Sequence, residues 1–319
     1  MKVLITGATG LIGRAITDLC FEKGISVNYL TTDKSKIKNE SNYRGFYWEP
    51  KTNEIDLNCF EGVTAIINLA GASIAKRWTR SYKKEILSSR IDSLNTLYIA
   101  LKNLNLEESI SFISASAIGV YPNSLPNFYT EEETSVDSSF LGDVTEIWEK
   151  EIDKFQSLKC TVTKIRIGLV LSSEGGALPK MASTVRRYLG ASFGSGRQWQ
   201  SWIHENDLAR MVLYVAENRL SGVFNGVALN PVTNAKMVKE LAKVLNRPLF
   251  LPNIPRILMR LILGEMSYLL FVSQRVSSKK IEKKGFNFKF NNICRALENI
   301  YLKEVNEDHS DDVLAKEYV

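Results

Sequence analysis

Lys2–Thr6 is a short apolar run rich in β-branched residues, the pattern of a strand buried on both faces within a parallel sheet. From Ala15 to Lys23 the spacing becomes helical and stops at Gly24, and Ser26–Leu30 returns to a strand. Strand, helix and strand make a βαβ unit of about 30 residues. Further strand-like runs fall at Ala65–Leu69, Ser111–Ser114 and Thr163–Leu171, separated by helical patterns at Ser81–Lys102 and Phe140–Phe155. Strands alternating with helices predict an α/β fold around a doubly wound parallel sheet.

The pattern changes after about residue 172. Gly175–Pro179 and Gly190–Trp202 are rich in glycine, aromatic and polar residues, as expected of loops that line a ligand cleft. A helix at Glu205–Asn218 and a strand at Gly222–Val227 return to the main sheet, and from Asn234 helices follow to about Leu302. The organisation expected is a nucleotide-binding domain over 1–172, rejoined by 205–228, and a smaller, mainly helical substrate lobe over 173–302. Residues 303–319 are charged and aperiodic and are expected to form a mobile tail without function.

Composition adds little to this picture. Forty-one basic against 35 acidic residues give a net charge of +6, spread along the chain, so a solvated mixed surface is expected and not a nucleic-acid site. Cys20, Cys59, Cys160 and Cys294 are far apart and have no metal-ligand spacing; they are expected to be reduced, mostly buried thiols, and no metal is expected. The chain starts directly into its first strand without a signal-peptide pattern, which predicts a cytoplasmic protein. The most apolar later stretch, Ile257–Val272, is broken by Arg260, Gly264 and Glu265 and predicts a buried amphipathic helix and no membrane partner.

Candidate chemistry begins at Gly7-Ala8-Thr9-Gly10-Leu11-Ile12-Gly13, which joins the first strand to the first helix. In this context the three glycines are the fingerprint of a Rossmann-type dinucleotide site. The first permits a tight turn, the second lets the backbone approach a pyrophosphate, and the third lets helix and strand pack closely. The helix N-terminus favours the negative charge. Expected cofactor contacts are Gly7, Thr9, Gly10, Leu11, Ile12 and Gly13. The second strand runs into Thr31-Thr32-Asp33-Lys34 with no acid at its end, so NADP(H) is expected; Asp33 keeps NAD(H) as the less favoured alternative.

These residues, with Asn68-Leu69-Ala70-Gly71, Ser114–Tyr121, Gly168–Leu171 and the string Gly194–Asp207, give the chain a resemblance to the extended short-chain dehydrogenase/reductase superfamily. Its sugar-nucleotide epimerase-like branch is the most similar. The resemblance covers residues 1 to about 300. It implies cofactor contacts at Leu69, Ala70 and Gly71; Thr31 and Thr32, at the end of the second strand, and Ser114, Arg166 and Gly168 are expected to contact the cofactor as well. A catalytic hydroxyl is implied at Ser116, and substrate contacts at Arg197, Trp199, Trp202 and His204. Packing between lobes is the alternative role for the aromatics.

In active members of that superfamily a tyrosine lies some way beyond the serine and a lysine one helical turn later, where the ammonium lowers the tyrosine's pKa for proton exchange. Counted from Ser116, these positions are Leu141 and Thr145, neither of which can do this chemistry. Tyr121, Glu146 and His204 remain as candidate acids, Tyr121 being placed at the cleft mouth. Two functions stay open. One is an NADP(H)-dependent epimerase-like protein or oxidoreductase acting on a small hydroxylated or nucleotide-linked substrate. The other is a cofactor-binding protein without turnover. The resemblance implies a dimer surface on the Ser81–Lys102 and Phe140–Phe155 helices, and monomer and homodimer are both compatible with the sequence.

Overall fold

The computed structural model describes residues 1–104 and 109–302, so the tail expected at 303–319 lies outside the described residues. The main sheet is built from β1 (Lys2–Thr6), β2 (Ser26–Thr31), β3 (Tyr43–Glu49), β4 (Ala65–Asn68), β5 (Ile110–Ala117), β6 (Cys160–Ile167) and β7 (Gly222–Gly226). They lie in the order β7-β6-β5-β4-β1-β2-β3, all parallel, with short antiparallel additions at the β3 edge. In β1, Val3 is paired with Val27 on one side and Ala65 on the other, which fixes the register of the centre.

Both faces of this sheet are covered, which is why its strands read as nearly continuous apolar runs. On one face, Val3, Ile5, Val27 and Ile67 pack against Ile16 and Cys20 of α1 (Leu11–Glu22) and against the helix Glu205–Glu217. On the other, Leu4, Ile66, Phe112 and Val162 meet Leu94 and Leu97 of α2 (Arg80–Asn103) and Trp148 and Ile152 of α3 (Phe140–Asp153). Each fully buried Leu or Ile of this kind contributes roughly 1.5–3 kcal/mol relative to exposure.

After β1 the chain builds outward through β2 and β3, and after β4 it builds the other way. This leaves a crevice at the carboxyl ends of β1 and β4, where such folds bind ligands. Beyond β6 the chain turns at Gly168, where a Cβ would come within 2.3 Å of the Ser201 carbonyl oxygen, so Thr163–Leu171 is not one strand. Leu169–Leu171 instead pairs with Trp202–His204. A third core gathers Trp202, Leu171, Leu178, Met237, Leu241 and Leu297 from the helical C-terminal part.

The stretch 257–272 departs from expectation. The helix Arg256–Leu263 is amphipathic but has no buried residue: Ile257 and Leu261 are 76% and 75% exposed. Gly264, at φ +61°, ends it. Among the described residues no helix is long and apolar enough to cross a membrane. The four cysteines are free thiols, of which Cys20 and Cys59 are buried.

Candidate functional site

The glycine loop is fixed from below by Thr6. Its hydroxyl donates to Asn68 Oδ1 (2.8 Å) and accepts from the amides of Leu69 and Ala70 (both 3.0 Å), tying the end of β1 to the turn after β4. Asn68 Nδ2 donates in turn to Ser114 Oγ at 3.1 Å. Gly7 has φ +72°, and a Cβ there would stand 3.2 Å from the Leu69 carbonyl carbon. At Gly13 a Cβ would lie 2.2 Å from the Gly7 oxygen, so α1 can sit against the loop only because this position has no side chain. Gly10 caps α1 without a side-chain hydrogen bond, and the first turn carries no acid. Amides of Leu11, Ile12 and Gly13 are therefore left facing the crevice end of the helix, a donor set that fits a pyrophosphate.

At the end of β2, Thr31 Oγ1 accepts from the Asp33 amide (3.1 Å), and Thr32 is exposed. The Asp33 carboxylate is turned to its own loop: it accepts from Ser35 Oγ (2.6 Å) and Ser35 N (3.0 Å), with Lys36 Nζ at 3.6 Å. Those Ser35 bonds hold its carboxyl below the ordinary range.

Beside this crevice lies a cavity of about 240 Å³, lined on one side by Ala117, Gly119, Leu141, Thr145, Gly168 and Arg90. Trp199, Tyr268, Leu269, Val272 and Gln274 line the other side. Gly71, just past β4, approaches the cavity wall at Arg90, where a Cβ on it would be 3.2 Å from Arg90 Cζ. The two positions counted for tyrosine and lysine, Leu141 and Thr145, are thus both in the cavity wall. The Thr145 hydroxyl donates to the Leu141 carbonyl oxygen at 2.7 Å, as helix threonines do. Tyr268 also has its hydroxyl engaged, donating to the Asp137 carboxylate at 2.9 and 3.0 Å; burial first, then that carboxylate, raises its pKa.

The two hydroxyls expected to be catalytic stand behind the wall. Ser116 is 3% exposed, and its Oγ donates to Glu149 Oε1 at 2.6 Å. Arg166 grips the same carboxylate through Nε (2.8 Å) and Nη2 (2.9 Å) and donates from Nη1 to the Tyr121 hydroxyl at 3.0 Å. Tyr121 donates to Asn225 Oδ1 (2.7 Å) and stacks on Tyr129. It has no exposed surface, so it is not at a cleft mouth, and Arg166 faces Glu149 and Tyr121 and not the crevice. Burial works to raise the Glu149 carboxyl, but the bonds and charge of Arg166, with Ser116 and Lys164, outweigh it and hold it below its ordinary value. Sequence reasoning missed Glu149 because a glutamate between Trp148 and Lys150 reads as part of a solvated helix face; the signal was a carboxylate at helical spacing from Thr145.

Of the four expected substrate contacts, Trp199 lines the cavity, its Nε1 donating to the Leu125 carbonyl at 3.1 Å. Arg197 is exposed and outside the cavity wall. Trp202 is wholly buried in the third core and donates from Nε1 to the Asn230 carbonyl (2.9 Å). His204 is 2% exposed; it caps the helix Glu205–Glu217, its Nδ1 accepting from the Asn206 amide (3.1 Å), and it stacks on Phe290. Glu146 pairs with Lys150 on the surface. Within the Gly194–His204 string, Trp199, Gln200 and Ser201 line the cavity, while Trp202 and His204 are packed in the interior.

The sheet order, glycine loop and crevice define a Rossmann-type nucleotide-binding protein of the dehydrogenase/epimerase class. More narrowly, the chain belongs to the epimerase family. Residues 3–145 match the NAD dependent epimerase/dehydratase family, and residues 254–300 match a domain of unknown function, DUF1731. An epimerase family protein of Staphylococcus aureus is 36% identical over 307 residues, covering 95% of this chain and 99% of the relative. One from Staphylococcus epidermidis is 34% identical over 304 residues, 94% and 98% of the two chains. Among solved structures, the human epimerase family protein SDR39U1 (isoform 2) with NADPH is 27% identical, with a TM-score of 0.81 over 94% of this chain and 99% of its own. The nucleoside-diphosphate sugar epimerase of Corynebacterium glutamicum is 28% identical, with a TM-score of 0.74 over 94% of this chain and 58% of its own.

Proposed function

We propose that this chain binds NADP(H) along the crevice, holds a small substrate in the adjoining cavity, and acts as an oxidoreductase without the tyrosine–lysine proton exchange of its family. The observation that carries this reading is the cavity wall itself, in which Leu141 and Thr145 occupy the two family positions and the Thr145 hydroxyl is bonded to its own helix. The glycine loop and the amides of Leu11 to Gly13 would hold the pyrophosphate, and Leu69–Gly71 would flank the cofactor beyond it. A bound nicotinamide supplies or accepts the hydride. What this chain adds is orientation and exclusion of water, through Trp199, Leu269 and Val272. Absence of an acid at the end of β2, the self-engaged Asp33 carboxylate, and NADPH in the human relative support NADP(H) over NAD(H). The small, mainly apolar cavity supports a small hydroxylated or carbonyl substrate over a nucleotide-linked one.

The test is to offer the cofactor-loaded protein UDP-glucose and, separately, a panel of small aldehydes, ketones and alcohols. Epimerised UDP-glucose would contradict the proposal; oxidation or reduction within the small-molecule panel is expected. One observation favours the second reading, a binder without turnover: the Thr145, Ser201 and Tyr268 hydroxyls in the cavity wall are all engaged within the protein. Saturable NADPH binding with no turnover of any panel member would select it.

A further inference from the structure

Arg90 lies in the middle of α2, where a charged residue ordinarily reads as solvated helix surface. The structure turns it inward. Its Nη1 donates to the carbonyls of Ile86 (2.7 Å) and Ala72 (3.2 Å), and its guanidinium lies 4.9 Å from the Trp148 ring centroid. Among the described residues no carboxylate pairs with it, and its hydrogen bonds to the protein run through Nη1. A half-buried guanidinium without an acid gives up part of its hydration with no counter-charge in return, whereas a buried charge normally has one. Burial pushes its pKa down to about 10, so it still carries its charge at neutral pH.

The surroundings point the same way. No acidic side chain is among the described residues that line the cavity. Trp148 Nε1, a donor, is shielded from solvent and has no partner. Leu141, Val144, Leu269 and Val272 supply apolar wall. We propose that Arg90 is the anion receptor of this cavity and that the ligand it takes is a small monocarboxylate with an apolar body; this rests on the reading that the cavity is the substrate site. A guanidinium offers two parallel donors that match a carboxylate. Phosphate and diphosphate groups fit less well, since a multiply charged anion would leave water for a single cation among apolar groups.

The test uses the full chain loaded with NADPH and two pairs of probes of matched shape: benzoate with benzamide, and hexanoate with hexanamide. Calorimetric titration is expected to show at least one carboxylate binding about tenfold or more tightly than its amide. In Arg90→Met that ratio should fall to about one, and because it is taken within one protein, a general weakening does not mimic it. Arg90→Lys keeps the charge without the fork and should retain a reduced preference, so the ratio still decides if the methionine variant does not fold. Equal binding of carboxylate and amide by the unaltered chain, binding of neither carboxylate, or an undiminished ratio in Arg90→Met would overturn the proposal. NADPH is titrated separately, so failure of the cofactor reading registers as loss of that isotherm, whatever the probes do.

Discussion

Removing the Glu149 carboxylate should destabilise this protein strongly. Glu149 is 8% exposed and accepts from Ser116 Oγ, Arg166 Nε and Arg166 Nη2 at 2.6–2.9 Å, with Lys164 Nζ at 3.7 Å. In Glu149→Ala, Arg166, also 8% exposed, would keep the Tyr121 hydroxyl and lose both its charge-assisted bonds. Breaking a buried pair by deleting one partner costs about 3–5 kcal/mol, because the remaining charge is left uncompensated. At roughly 2–4 °C per kcal/mol for domains of this order of size, the midpoint should fall by on the order of 10 °C. Thermal and urea unfolding can be followed by tryptophan fluorescence, since Trp148 is the neighbouring residue. Replacing both partners, as in Glu149→Leu with Arg166→Met, should recover much of the loss, because no unpaired charge remains. A drop of less than about 2 °C for Glu149→Ala would refute the reasoning, since it falls well short of the cost of an uncompensated buried charge.

The other expectations are brief. Glu149 titrates below its ordinary value in the folded chain, so its contribution is complete above the unfolded pKa of about 4.5 and disappears as pH falls through the lower folded value; Glu149→Gln should flatten acid unfolding below about pH 4.5. Ser116→Ala should cost about 1.5–3 kcal/mol of stability through the lost bond to a carboxylate and leave substrate binding in place, which denaturant titration and calorimetry separate. Gly13→Val forces a side chain to within 2.2 Å of the Gly7 oxygen and should abolish the NADPH isotherm. Trp202→Ala should cost about 3–5 kcal/mol by unfolding assays, as a core truncation does, whatever ligands are present.

Much of the fold was legible because parallel strands buried on both faces leave uninterrupted apolar runs, as in Lys2–Thr6 and Ala65–Asn68. β3 escaped notice: Tyr43–Glu49 buries Phe46 and Trp48 but leaves Tyr43, Gly45, Tyr47 and Glu49 only partly buried and Arg44 exposed near the sheet edge, so it carries no such run. The glycine loop was legible since each glycine answers a steric demand, and counting along a helix brought Leu141 and Thr145 to the cavity. The rest of the site was not legible. Whether Trp202 and His204 face a ligand or a core depends on how Leu169–Leu171 pairs with their strand, a contact that no local pattern encodes. Arg90 was hidden for the opposite reason, a charge on a long helix whose inward turn depends on Gly71 leaving it room.

The most direct test of the account is calorimetric titration of the full chain with NADPH and then with NADH. The account predicts saturable binding of one NADPH per chain, weaker binding of NADH, and loss of both in Gly13→Val. No saturable binding of NADPH, or tighter binding of NADH, would contradict it.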